Sequence, residues 1–130
     1  MIKITRVKSK INRYKNTTRV TDSIAMRIDG IVITSEERRF LERKYRNISV
    51  STLDSGTVIS FSCSGYSVCS PEDDFDERIG LSVAGHKSWN KTISKAQRIM
   101  RDIISMELRK IGMVVNKLMQ IEQKSEENEN

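Results

Sequence analysis

At 130 residues and 15.0 kDa, the chain is long enough for one domain with its own core and needs no disulfide or metal staple. It is 37% hydrophobic but only 5% aromatic, so aliphatic side chains and six methionines must fill that core; no apolar run nears the ~20 residues of a membrane span. Lys and Arg total 23 against 17 Asp and Glu, and the resulting charge of +6 favours phosphate-bearing or polyanionic partners through its long-range field.

The first ten residues, MIKITRVKSK, lack the apolar stretch of a secretory signal. A cytoplasmic protein with reduced Cys63 and Cys69 is therefore expected. Their spacing around Ser64-Gly65 also allows the two sulfurs to face each other across a hairpin. With a single histidine in the chain, neither a metal nor another cofactor is expected.

In chain order, residues 1–20 carry seven bases and no acid: Lys3, Arg6, Lys8, Lys10, Arg13, Lys15 and Arg19. They read either as a solvated basic arm, with a short edge strand at most, or as a clamp on an anion. The run SIAMRIDGIVIT places two β-prone segments around Asp29-Gly30, which predicts a hairpin there. TSEERRFLERKYRN follows as a helix, with Thr34 and Glu37 spaced for a capping box. Phe40, Leu41 and Tyr45 form its apolar face, and Arg38, Arg39, Arg43, Lys44 and Arg46 its basic one. NISVSTLDSGTVISFSCSGYSVC reads as a three-stranded meander turning at Asp54-Ser55-Gly56 and at Ser64-Gly65. Within it Ile59, Phe61 and Cys63 alternate with Ser60 and Ser62, as in a strand with one wet face.

Ser70, Pro71 and the acids Glu72, Asp73, Asp74, Asp76 and Glu77 compose a helix start, because carboxylates belong at the positive end of the helix dipole. Phe75, Ile79 and Val83 then recur on one helix face. Gly80, Gly85 and the stretch AGHKSWN end this helix, and Asn90 or Thr92 caps a last helix of roughly 30 residues, about 45 Å long. That helix carries two apolar stripes. One is Met100, Ile104, Leu108, Ile111, Val115 and Leu118, spaced like a coiled-coil seam; the other is Ile99, Ile103, Met106, Val114 and Ile121. Two stripes call for the sheet on one side and a second copy of the chain on the other. A disordered acidic tail is expected over residues 124–130. The expected fold is α+β: one domain over residues 1–123, with an antiparallel sheet core, an inserted short helix and two C-terminal helices, the last one long.

No nucleophile elbow, phosphate-binding loop or dinucleotide fingerprint is present, and His86 has no nearby acid to orient it, so no catalytic residues are expected. The richest constellation is GHKSWNKTISKAQR, where His86, Lys87, Lys91, Lys95 and Arg98 surround an expected helix N-terminus, a natural anion site. Trp89 stacks on a base or plugs the helix corner. Asn90 caps the helix or reads a ligand edge. Arg101 and Arg109 reach a ligand held between subunits or extend to water.

Cys69, Ser70, Pro71, Glu72, Asp73, Asp74, Phe75, Asp76 and Gly80 resemble a motif of small phage proteins, in which a meander ends in Cys, then His or Ser, Pro, acids, Phe-Asp and Gly. The likeness spans residues 57 to 98 and departs at LSVAGHKSWNK, where motif members carry an Ala-rich basic helix. The layout resembles the first-described type of Thoeris-inhibiting sponge proteins. That resemblance implies a phage counter-defence protein in the host cytoplasm that sequesters a cyclic ADP-ribose isomer or a cyclic oligonucleotide without catalysis. It also points to Phe75, Asn90 and the arginines of the long helix as ligand-binding positions. Two other readings stay open: a nucleic-acid-binding regulator that uses the basic arm and the helix at 36–46, and a protein–protein inhibitor of a host factor.

Overall fold

The computed structural model describes residues 2–68 and 77–129. Two strands open the chain, β1 (Ile2–Tyr14) and β2 (Thr17–Asp29); α1 (Ser35–Lys44) follows, then β3 (Ile48–Leu53), β4 (Gly56–Val68) and α2 (Glu77–Glu129). The four strands form one antiparallel sheet in the order β1-β2-β4-β3. The class is α+β with a short inserted helix and a long last one, as the sequence predicts. The chain divides into two compact units, Met1–Ala96 and Gln97–Asn130.

The basic N-terminus is a full edge strand rather than a short one. β1 pairs with β2 over its length, from Ile2 opposite Ile28 to Tyr14 opposite Thr17. A bulge between Arg6 and Lys8 keeps Ile2, Ile4 and Arg6 on the same face as Ser9, Ile11 and Arg13. The hairpin turn is at Lys15-Asn16, with Lys15 at φ 54. Asp29-Gly30 therefore closes no hairpin, contrary to the sequence expectation. Gly30 takes φ 86, its N–H donates to the Ser55 carbonyl at 2.7 Å, and the chain leaves the sheet toward α1. Thr57 Oγ1 guides this exit: it donates to the Ile31 carbonyl at 2.7 Å and accepts the Ile33 N–H at 3.3 Å.

The capping box of α1 is present. Thr34 Oγ1 accepts the Glu37 N–H, and the Glu37 carboxylate accepts the Thr34 N–H. Leu41 and Tyr45 are buried from this helix, while Phe40 is exposed. The expected three-stranded meander is two strands, because β4 runs straight through Ser64-Gly65. The alternation within it is as read: Ile59 and Phe61 are buried and Cys63 is half-buried, with Ser60 and Ser62 on the other face.

The core of the first unit lies on one face of the sheet. Val20, Ile24, Met26 and Ile28 of β2 stand beside Ile59 and Phe61 of β4 and Val50 of β3, all buried. The start of α2 covers that face with small side chains, and Ala84, Ser88, Thr92 and Ala96 are buried four residues apart. Their size lets the helix backbone approach Gly65 very closely. This packing explains why AGHKSWN does not end the helix. A mid-helix glycine costs about 1 kcal/mol, less than the tertiary contacts return. The expected break, and the second helix N-terminus it would create, are absent: α2 is one helix of 53 residues.

The second unit is the rest of α2. Of its side chains Ile99 and Ile103 are buried, whereas the large apolar ones Ile104, Leu108, Ile111, Met113, Val114, Val115, Leu118, Met119 and Ile121 are all exposed. Among the described residues, no helix is long and apolar enough to cross a membrane.

Candidate functional site

A cleft of about 370 Å³ opens in the first unit where α2 meets the first two strands. One wall is Arg6, Ser9 and Ile11 of β1 with Val20 and Asp22 of β2. The other is Leu81, Ser82, Gly85, His86 and Trp89 of α2. The volume lies within the range of small-ligand sites.

Asp22 anchors the floor. β2 alternates Val20, Asp22, Ile24, Met26 and Ile28 inward, which puts a carboxylate in the buried row. Its side chain is 3% exposed. Ser88 Oγ donates to Asp22 Oδ2 at 2.7 Å and also lies 3.1 Å from the Cys63 carbonyl oxygen. Arg6 Nε stands 3.5 Å from Asp22 Oδ1. The Arg6 guanidinium also lies over the Trp89 ring, 4.2 Å from its centroid. Arg6 is therefore held by a carboxylate on one side and an aromatic face on another, and its side chain is half-exposed. His86 is exposed at the rim, with Nδ1 2.8 Å from the Ser82 carbonyl oxygen of its own helix.

The nominated site residues separate into groups. His86 and Trp89 come together in the cleft. Lys87 and Lys91 serve the fold instead: their ammonium groups donate to the carbonyls of Tyr66 at 3.2 Å and Ser64 at 3.1 Å, which clamps α2 along β4. Lys95 does the same at the Arg46 carbonyl, 2.8 Å away. Asn90 is exposed in mid-helix and caps nothing. Arg98, Arg101 and Arg109 belong to the second unit and are exposed there. Phe75 lies outside the described residues, as do Cys69 and the acids from Glu72 to Asp76.

Sequence reasoning missed Arg6, Asp22 and Ser88. A readable signal existed for Asp22, a lone acid at an inward position of an alternating strand. None existed for Arg6, one base among seven in the N-terminal segment. Among the described residues, no group of three metal-capable side chains is assembled. No protein-family model, curated protein or solved structure matches this chain.

Proposed function

We propose that this chain binds a small phosphate-bearing nucleotide in the cleft and holds it without transforming it, acting as a sponge for a cyclic nucleotide signal in the host cytoplasm. The observation that carries this reading is Arg6, oriented by buried Asp22 and stacked on Trp89 beside His86. A half-exposed guanidinium at the cleft wall suits a phosphate oxygen pair, and Ser9 and Ser82 supply hydroxyls nearby. Ile11, Val20 and Leu81 give an apolar bed for a ring. Asp22 offsets much of the Arg6 charge, so one or two phosphates with a planar ring fit better than a string of phosphates.

Trp89 is the only tryptophan in the chain, which makes its fluorescence a direct reporter of the cleft. Titration with a cyclic ADP-ribose isomer, and with adenosine monophosphate, is expected to change Trp89 emission in step with saturable heat. Arg6→Ala is expected to weaken binding roughly tenfold to a hundredfold, the worth of charge-assisted hydrogen bonds. Ligand recovered unchanged from the denatured complex supports holding; a cleaved product points to an enzyme. Neither heat nor an emission change with either nucleotide would sink the reading.

We also propose that α2 pairs with a second copy of the chain. Ile104, Leu108, Ile111, Val115 and Leu118 follow seam spacing and are all exposed. At about 1.5–3 kcal/mol for each large apolar side chain fully buried, the two half-exposed rows of a pair contribute a term of the same order as the ~4–15 kcal/mol cost of association. Over residues 97–110 four bases stand against the two acids Asp102 and Glu107, and over residues 111–130 four acids stand against the two bases Lys117 and Lys124. That polarity favours an antiparallel pair. Light scattering at micromolar concentration is expected to give a multiple of 15.0 kDa for the native chain and the monomer mass for Leu108→Glu/Val115→Glu. A monomeric native chain contradicts the pairing.

A further inference from the structure

The face of the sheet turned away from α2 is largely polar and basic. Register places on it Lys3, Lys8 and Lys10 of β1, Arg19 and Arg27 of β2, and no acid from the four strands except Asp29. Asp29 is already paired with Arg27 at 2.8 Å. Between the bases lies a floor of short hydroxyl side chains. Thr21 and Ser64 hydroxyls are 2.7 Å apart across the strands, and those of Ser23 and Ser62 are 2.6 Å apart. Two tyrosines stand at one end, Tyr14 and Tyr66, exposed by 73% and 46%. Arg19 joins them to the floor: its Nε donates to Ser64 Oγ at 3.3 Å and its guanidinium lies 5.5 Å from the Tyr66 ring centroid.

We infer that this open face binds single-stranded nucleic acid, with the sugar–phosphate backbone along the lysines of β1 and the bases over the hydroxyl floor toward Tyr14 and Tyr66. Alternate residues on a strand are about 7 Å apart, so Lys8 and Lys10 stand one such step from each other, with Lys3 further along the same face beyond the bulge. A 13-residue strand extends about 44 Å, enough for a segment of several nucleotides. Hydroxyls and cations contact phosphate oxygens without reading sequence. Exposed tyrosine rings offer stacking surfaces that only unpaired bases can use, and this favours a single strand over a duplex. An acidic protein or an anionic membrane would use the lysines but leave the tyrosine pair without a role. The inference is independent of the cleft, which opens on the opposite face.

The test is fluorescence anisotropy with a labelled oligothymidylate of about 15 nucleotides, within the site sizes of single-strand binders, and a duplex of equal length. Affinity for the single strand is expected to exceed that for the duplex and to fall with salt at a logarithmic slope of about 3, as for four to five neutralised phosphates. Lys8→Ala/Lys10→Ala/Arg19→Ala is expected to weaken binding at least tenfold and to flatten the slope by about 2. Tyr14→Ala/Tyr66→Ala is expected to weaken it about tenfold or more at an unchanged slope, because stacking releases no counterions. All five side chains are exposed, and unchanged thermal melting confirms that the variants fold. Equal affinity for duplex, or full binding by the triple variant, overturns the inference. So does binding to anionic vesicles or to a polyglutamate peptide without oligonucleotide binding. Arg6→Ala separates the two sites: it is expected to shift the nucleotide-induced Trp89 change to roughly tenfold to a hundredfold higher nucleotide concentration and to leave oligothymidylate affinity within twofold.

Discussion

Gly65→Ala is expected to destabilise the fold by about 2–3 kcal/mol, and Gly65→Val by more. Gly65 is a strand residue beneath α2, and the atoms facing it belong mainly to the helix backbone. A Cβ on Gly65 would stand 2.4 Å from both the Ala84 carbonyl oxygen and the Ser88 nitrogen, and 2.7 Å from Lys87 Cβ. No rotamer change relieves such a contact, so α2 would have to lift. Lifting strains the Ser88–Asp22 hydrogen bond and the Lys87 and Lys91 clamps on Tyr66 and Ser64. Against a typical total stability of about 5–15 kcal/mol, that loss is large. Gly85→Ala is the control of opposite sign. A Cβ there meets nothing within 4 Å, and alanine is the better helix former, so a gain of up to about 1 kcal/mol is expected. Urea denaturation reads both as shifts in midpoint at constant slope. A neutral Gly65→Ala would mean that α2 does not lie on Gly65.

Asp22→Ala is expected to cost about 1–3 kcal/mol and to disconnect several elements at once. The carboxylate links β2 to α2 through Ser88, and to the edge strand through Arg6. Arg6 is half-exposed, so its share of that loss is discounted for solvent screening. Most of the cost comes from the short Ser88 bond in a buried setting. A double-mutant cycle with Ser88→Ala isolates that bond, and a coupling of about 1 kcal/mol or more is expected. Additive effects would show that Asp22 is retained for the cleft rather than for the fold. In that event Asp22→Asn would fold as well as the native chain while altering the Trp89 response to nucleotide.

The residues of α1 show what is readable from a sequence. Thr34 and Glu37 are three positions apart, and their reciprocal bonds need nothing beyond that turn, so the sequence expectation and the structure agree. The same holds for Ile59 and Phe61, whose alternation with serines fixes a buried face and a polar face. Asp29-Gly30 and Ser64-Gly65 show the limit. Both dipeptides carry a turn signal, yet β2 takes its partners from β1 and β4, and β4 continues without a bend. The glycine of Ser64-Gly65 serves a contact with a helix about twenty residues further on, and no local pattern announces that. The cleft shares this property, since Arg6, Asp22 and Trp89 are separated by long stretches of chain and meet only through strand register and helix placement.

The sequence by itself determined the class of elements, the capped helix, the wet and dry faces of β4 and the basic character of the first strand, because each depends on neighbours within a turn or an alternation. The tertiary structure decided where the chain turns back, that α2 runs unbroken through Gly80 and Gly85, and that five bases from β1 and β2 share one open face. Those outcomes depend on pairing and close approach between distant segments. Their free energy of contact exceeds the roughly 1 kcal/mol that a local glycine preference or turn signal contributes.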